Sequence, residues 1–254
     1  MRSSELFGLS IAAVTMDEVV PMVDHAIAAR RPFQIGVVNA AKVVNMQRDP
    51  RLRADVLASD IVLADGMSLV WASRLLGRPL PERVAGIDLM FRLLEQAAVK
   101  GHRVFCLGAT EDVLNRAIAE FRRRYPGLII AGSQHGYFSS DIEREVAHAI
   151  AASRADIVFI AMTSPRKEKF LARWSRSLNV PVWHGVGGSF DVAAGHVRRA
   201  PILWQRLGLE WLYRVKQEPR RLWKRYLVTN TLFIAAVFAE WLAQRRRRPR
   251  LASR

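Results

Sequence analysis

The stretch from Arg103 to Ser133, RVFCLGATEDVLNRAIAEFRRRYPGLIIAGS, decides the fold class. It opens with a continuous apolar run, RVFCLGA, which reads as a strand covered on both faces. TEDVLNRAIAEFRRRYPG then sets Val113, Leu114, Ile118 and Phe121 at helical spacing, and Pro126-Gly127 ends it. A second buried run, LIIAGS, follows. Four more runs read the same way: FQIGVVNA from Phe33, DIVLAD from Asp60, DIVFIAM from Asp156 and VPVWHGVG from Val180. Amphipathic segments such as SSDIEREVAHAIAASRA and PRKEKFLARWSRSLN lie between them, with Pro165 suited to the first helical turn after Ser164. Near the start, Thr15 and Glu18 have capping-box spacing. Continuous apolar strands alternating with helices predict an α/β fold: a Rossmann-like, mostly parallel sheet covered by helices.

Ligands of such sheets bind outside the carboxyl ends of the strands. That rule selects Asn39, Asp65, Gly108, the QHGYF loop with Gly136, the MTSPRKE loop with Glu168, and GVGGSFD with Gly187, Gly188 and Asp191. Asp65 ends a buried run and faces the expected crevice, unless it only caps a turn. Asp191, following the glycine loop, is a candidate ligand contact or a turn residue. The dinucleotide pattern GxGxxG fails in this loop because Phe190 fills its last glycine position, and the loop follows the last strand rather than the first. GxxxxGK[ST], HExxH, CxxC and DxD are all absent, so the sequence makes no case for a catalytic metal or a cofactor. His135 and His184 lie near strand ends and read as loop and core histidines. Cys106 is the single cysteine, which excludes an internal disulfide, fits a reducing compartment and reads as a small core residue. The N-terminal stretch lacks the long apolar core of a signal peptide, so the expected location is the cytoplasm or its side of a membrane.

The net charge of +16 is concentrated at one end. From Arg198 onward there are 15 Lys or Arg against 3 Glu, a net of +12. Four of the seven tryptophans fall there too, interleaved with basic residues at helical spacing. YLVTNTLFIAAVFAEWLA, from Tyr226, then runs 18 residues with one charge. Such a helix reaches about 27 Å, slightly short of a bilayer core, and is expected to lie in a membrane interface rather than span it. The closing RRRRPR would bind anionic head groups. The alternatives are a helical subdomain packed on the core, or nucleic acid as partner. The long apolar helix speaks against nucleic acid. The expected organisation is a catalytic core over residues 1–200 and a basic, Trp-rich helical appendage over 201–254.

Three stretches carry a family resemblance: ADGMSLVWASRLLGRPLPERVAGIDLM, GVGGSFDVAAGHVRRAP and LGLEWLYRVKQEPRRLWKRYL. In this order they resemble the WecG/TagA/CpsF glycosyltransferases, glycosyltransferase family 26. The likeness runs from about Phe33 to Leu227. It implies transfer of a sugar from a UDP-sugar to a polyprenyl-diphosphate-linked sugar at the cytoplasmic face of the membrane, with inversion and without metal or cofactor. It further implies Asp65 as general base with Asn39 beside it, and Arg83 steadying the diphosphate. Arg214 and Arg221, continued by Lys224 and Arg225, would close over the lipid-linked acceptor. Two departures concern the donor pocket. VVNAAK replaces TPNPE, keeping Asn39 but putting Val37 for threonine; TSPRKE replaces GxPxQE, keeping Pro165 and Glu168 but putting Lys167 for glutamine. The sugar carried is therefore expected to differ from N-acetylmannosamine, toward the branch that adds the second glucose of xanthan-like exopolysaccharides. A membrane-anchored nucleotide-binding adaptor without activity is the competing class. The sequence leaves a homo-oligomer open.

Overall fold

The structure, a computed structural model, describes residues 2–247. The chain runs β1 (Ser3–Leu6), β2 (Leu9–Ala12), α1 (Met16–Ala28), β3 (Phe33–Val38), α2 (Ala40–Arg48), α3 (Pro50–Leu57), β4 (Ile61–Ala64), α4 (Met67–Leu75), α5 (Gly86–Lys100), β5 (Arg103–Gly108), α6 (Glu111–Arg124) and β6 (Ile129–Gln134). It continues through α7 (Glu143–Ala152), β7 (Ile157–Ala161), α8 (Arg166–Trp174), β8 (Val182–Gly185), α9 (Ser189–Ala193), α10 (Ile202–Arg206), α11 (Glu210–Gln217) and α12 (Pro219–Arg247). All six apolar runs are strands of one parallel sheet, in the order β4-β3-β8-β7-β5-β6. The chain moves outward from β3 to β4 at one edge and from β5 to β6 at the other. Between those two directions lies the switch point where a crevice opens at the carboxyl ends.

The strands are apolar throughout because each is covered twice. On β7, Ile157 and Phe159 face a core shared with α1, α5 and α6, while Val158 and Ile160 face α7 and α8. On β4, Ile61 and Leu63 join the first core and Val62 and Ala64 join a third, with α2 and α4. Each fully buried Leu, Ile or Phe contributes about 1.5–3 kcal/mol. Local signals set the helix starts. Thr15 and Glu18 form the reciprocal capping box, and the Asn39 and Thr110 side chains accept from Lys42 and Val113 backbone N–H groups.

Two features differ from the sequence reading. The antiparallel β1–β2 hairpin was not expected; it buries Leu6, Leu9 and Ile11 beside α2. The apolar run from Tyr226 is not free along its length. Helix α12 turns back at Pro219 and lays Phe233, 5% exposed, into the core of β1, β2 and α2. The Phe7 N–H donates to Glu240 Oε2 at 2.8 Å, and Arg78 pairs with the same carboxylate at 3.2 Å. The one charge in the run thus fastens α12 to the core. By length and composition Pro219–Arg245 could also cross a membrane. The end of the basic run RRRRPR lies outside the described residues.

Candidate active site

The carboxyl ends of the strands open onto a cleft of about 2140 Å³. That is well above the ~300–1,000 Å³ of a single small-molecule site and leaves room for two substrates. Its floor is built from segments following the strands: Asn39 after β3, Asp65 after β4, Ala109 after β5, Gly136 after β6, Thr163 after β7, and Gly187, Gly188 and Asp191 after β8. Its far wall comes from the C-terminal helices, with Arg214 on α11 and Arg221 and Arg225 on α12.

Asp65 is held by its backbone, whose N–H donates to Val38 O at 2.7 Å. The residue is half-buried and lines the cleft. Burial pushes its carboxyl above the usual range, while the charges of Arg83, Arg214 and Lys42 and the Gly86 N–H draw it back. Asn39 caps α2 with its side-chain oxygen, accepting from Lys42 N–H at 3.0 Å, and also lines the cleft.

Several expected residues stand back from the cleft. Gly108 packs against the end of β7, where a Cβ would come within 2.4 Å of the Ala161 carbonyl carbon. Its glycine allows two strand ends to meet, and Ala109 takes the cleft position. Glu168 is 3% exposed and pairs behind the floor with Lys42 at 2.7 Å. Lys224 does not line the cleft; Arg221 does, and pairs with Glu218 at 2.7 Å. Arg83 is likewise withdrawn. Its guanidinium pairs with Glu210 at 2.6 Å and Asp88 at 3.2 Å, and donates to Gln205 Oε1 at 3.2 Å. Arg199 forks onto Asp88 at 2.6 and 2.7 Å. This network clamps α10 and α11 to the loop before α5, so Arg83 influences Asp65 through its charge while bracing the far wall.

The sequence profile of the family described as "Glycosyl transferase WecG/TagA/CpsF family" matches residues 4–247. The chain belongs to this family. It is a glycosyltransferase, which sets aside the adaptor reading. Among WecG/TagA/CpsF relatives, one from Bacillus spizizenii, named N-acetylglucosaminyldiphosphoundecaprenol N-acetyl-beta-D-mannosaminyltransferase, is 42% identical over 180 residues, which cover 71% of this chain and 69% of the relative.

Residues that the sequence reading passed over also line the cleft. Lys42 stands in the first turn of α2, and Trp71 and Leu75 project from α4 with exposures of 46% and 60%. Nothing in a single sequence marks Lys42 as different from a surface lysine. The signal for Trp71 was present: a tryptophan and a leucine one turn apart, on the helix that starts two residues after Asp65. His184 is fully buried, its Nε2 within 2.9 Å of Gly86 O, and burial pushes it down to about 4, so it stays neutral. His135 Nδ1 accepts from Tyr137 N–H in its loop. No group of three His, Cys, Asp or Glu residues suited to a metal occurs among the described residues.

Proposed function

We propose that this glycosyltransferase moves a hexose-type sugar from a UDP-sugar to a polyprenyl-diphosphate-linked sugar. It would do so at the cytoplasmic face of a membrane, in cell-envelope or exopolysaccharide synthesis, with inversion and without a metal. One observation carries the reading: a single cleft joins the half-buried Asp65 carboxylate to an exposed apolar wall. Trp71 and Leu75 of α4 and Leu227, Ile234 and Phe238 of α12 all line it, each of the last three 58–67% exposed. A nucleotide sugar has no use for such a wall, whereas a polyprenyl chain has. The relative's named acceptor, a sugar on diphosphoundecaprenol, supports the same assignment.

In the reaction, an acceptor hydroxyl oxygen attacks the anomeric carbon as the bond to UDP breaks. Asp65 takes the hydroxyl proton. The leaving diphosphate gains negative charge, which the guanidinium forks of Arg214 and Arg221, both lining the cleft, would stabilise. Arg83 holds that wall in position. Asn39, Gly136, Gly187, Gly188 and Asp191 would border the donor. Trp223 and Val228 extend the exposed apolar face, and Arg220, Lys224 and Arg225 beside them would meet anionic lipid.

The test offers a panel of UDP-sugars, UDP-N-acetylmannosamine and UDP-glucose first, with undecaprenyl-diphosphate-N-acetylglucosamine and related acceptors, with and without EDTA. Turnover with one donor, unaffected by EDTA, is expected. Strict dependence on Mg²⁺ or Mn²⁺, or transfer confined to water-soluble acceptors, would overturn the proposal.

A further inference from the structure

Behind the cleft floor two ammonium groups share one carboxylate oxygen. Lys42 Nζ lies 2.7 Å from Glu168 Oε1, and Lys167 Nζ lies 3.5 Å from the same atom. The three side chains are 13%, 4% and 8% exposed for Lys42, Glu168 and Lys167. The arrangement is built in. Lys167 crosses the end of β8 at Gly185, where a Cβ would stand 2.7 Å from its Cδ and 2.9 Å from its Cε. Lys42 and Lys167 both reach the cleft that holds Asp65. One carboxylate cannot neutralise two ammoniums, so this group carries a surplus positive charge in a region that excludes most water.

We propose that Lys42, Glu168 and Lys167 act as one charge-setting unit, whose surplus positive charge keeps the half-buried Asp65 carboxylate ionised and able to accept the acceptor's proton. They are positioning residues. The role rests on Asp65 being the general base.

The electrostatics agree. The charge of Lys42 draws the Asp65 carboxyl down, and the charge of Asp65 in turn favours the Lys167 ammonium. Burial and the like charge of Lys42 push Lys167 down to about 8, so it is protonated wherever a carboxylate titrates. The other charges acting on Asp65 are those of Arg83 and Arg214; Asp65 in turn favours the Arg199 guanidinium, and His184, beside Lys167, is neutral.

The test is the pH dependence of kcat/KM for the full chain with its lipid-linked acceptor. Removing either positive charge, in K42M or K167M, is expected to move the acid limb upward by about one pH unit. On that limb the rate falls up to ~10-fold. The retained-charge variant K167R is expected to keep the wild-type limb. E168Q leaves two uncompensated ammoniums and is expected to move the limb the opposite way. If E168Q does not fold, the lysine variants decide alone. Unmoved limbs in K42M and K167M, or a raised KM for the UDP-sugar as their sole effect, would overturn the unit and make the lysines donor contacts or packing. D65N separates the two readings. Full turnover in D65N removes the general base itself, whereas inactive D65N with unmoved lysine limbs removes only the charge-setting unit.

Discussion

At the scale of single residues, Asp65 has the clearest expected behaviour. D65N removes the acceptor for the proton but keeps the shape, so we expect an unchanged melting temperature and a ~10²–10⁴-fold loss of kcat. The pH profile gives an independent measure. Burial raises the folded-state value above the ordinary aspartate figure of about 3.9. The active form is the carboxylate, so activity is lost as pH falls through that raised value, and the acid limb of kcat/KM lies above the ordinary aspartate range. Glu168 behaves in the opposite sense. Burial alone would raise it, but Lys167 and Lys42 bring it down to about 2. Its contribution to stability is complete above the unfolded value of about 4.3 and is lost as pH falls from there toward 2. E168Q leaves buried ammoniums uncompensated and is expected to destabilise the fold by about 3–5 kcal/mol in urea unfolding.

At the scale of elements, the informative joint is the one between α11 and the loop before α5. Arg83 makes ion pairs to Glu210 and Asp88 there with its side chain 13% exposed. R83A is therefore expected to loosen α10 and α11, seen as faster limited proteolysis between Pro201 and Pro219. It would also raise the KM for the lipid-linked acceptor, because Arg214 stands on the loosened helix. E210Q is expected to reproduce the proteolysis in milder form. Proteolysis unchanged in both variants would return Arg83 to a direct role on the diphosphate. The β5–β7 contact is another such joint: G108A would drive a Cβ into the Ala161 carbonyl and is expected to cost stability, not only substrate affinity.

At the scale of the whole molecule, α12 serves two surfaces at once. The Phe233 ring packs against Phe7 with centroids 5.3 Å apart and planes tilted by 55°, whereas Ile234 and Phe238 are 67% and 58% exposed. F233A is expected to cost about 3–5 kcal/mol of stability. I234S/F238S is expected to leave the melting temperature within a degree or two and weaken binding to anionic vesicles. High salt would weaken that binding only partly, since apolar burial contributes beside charge. Unchanged vesicle binding in I234S/F238S would mean that the exposed face has another use. The shared duty of α12 also predicts that truncation at Thr229 damages the core as well as the membrane surface.

The sequence by itself determined the sheet. Six runs with no polar alternation admit only strands covered twice, and helical spacing with caps fixes the crossings between them. It also determined the neighbourhood of the site, because strand ends are where such sheets bind, and Asn39, Asp65, Gly136 and Asp191 do share one cleft. Only the tertiary structure decided which candidate charges face that cleft. In sequence Arg83 and Lys224 carry the same positive charge as Arg214 and Arg221, and Glu168 the same negative charge as Asp65. Their partners, Glu210 and Asp88 for Arg83 and Lys42 for Glu168, are 5 to 127 positions away in the chain. Likewise, a run of 18 residues with a single charge has the composition of a membrane element whichever way it packs. That Glu240 is bound to the β1–β2 turn, and Phe233 lies beneath that turn, depends on a hairpin more than 220 residues earlier. Local periodicity encodes what each segment buries, but ion pairing and docking are set by distances between remote segments, which exist only once the chain has folded.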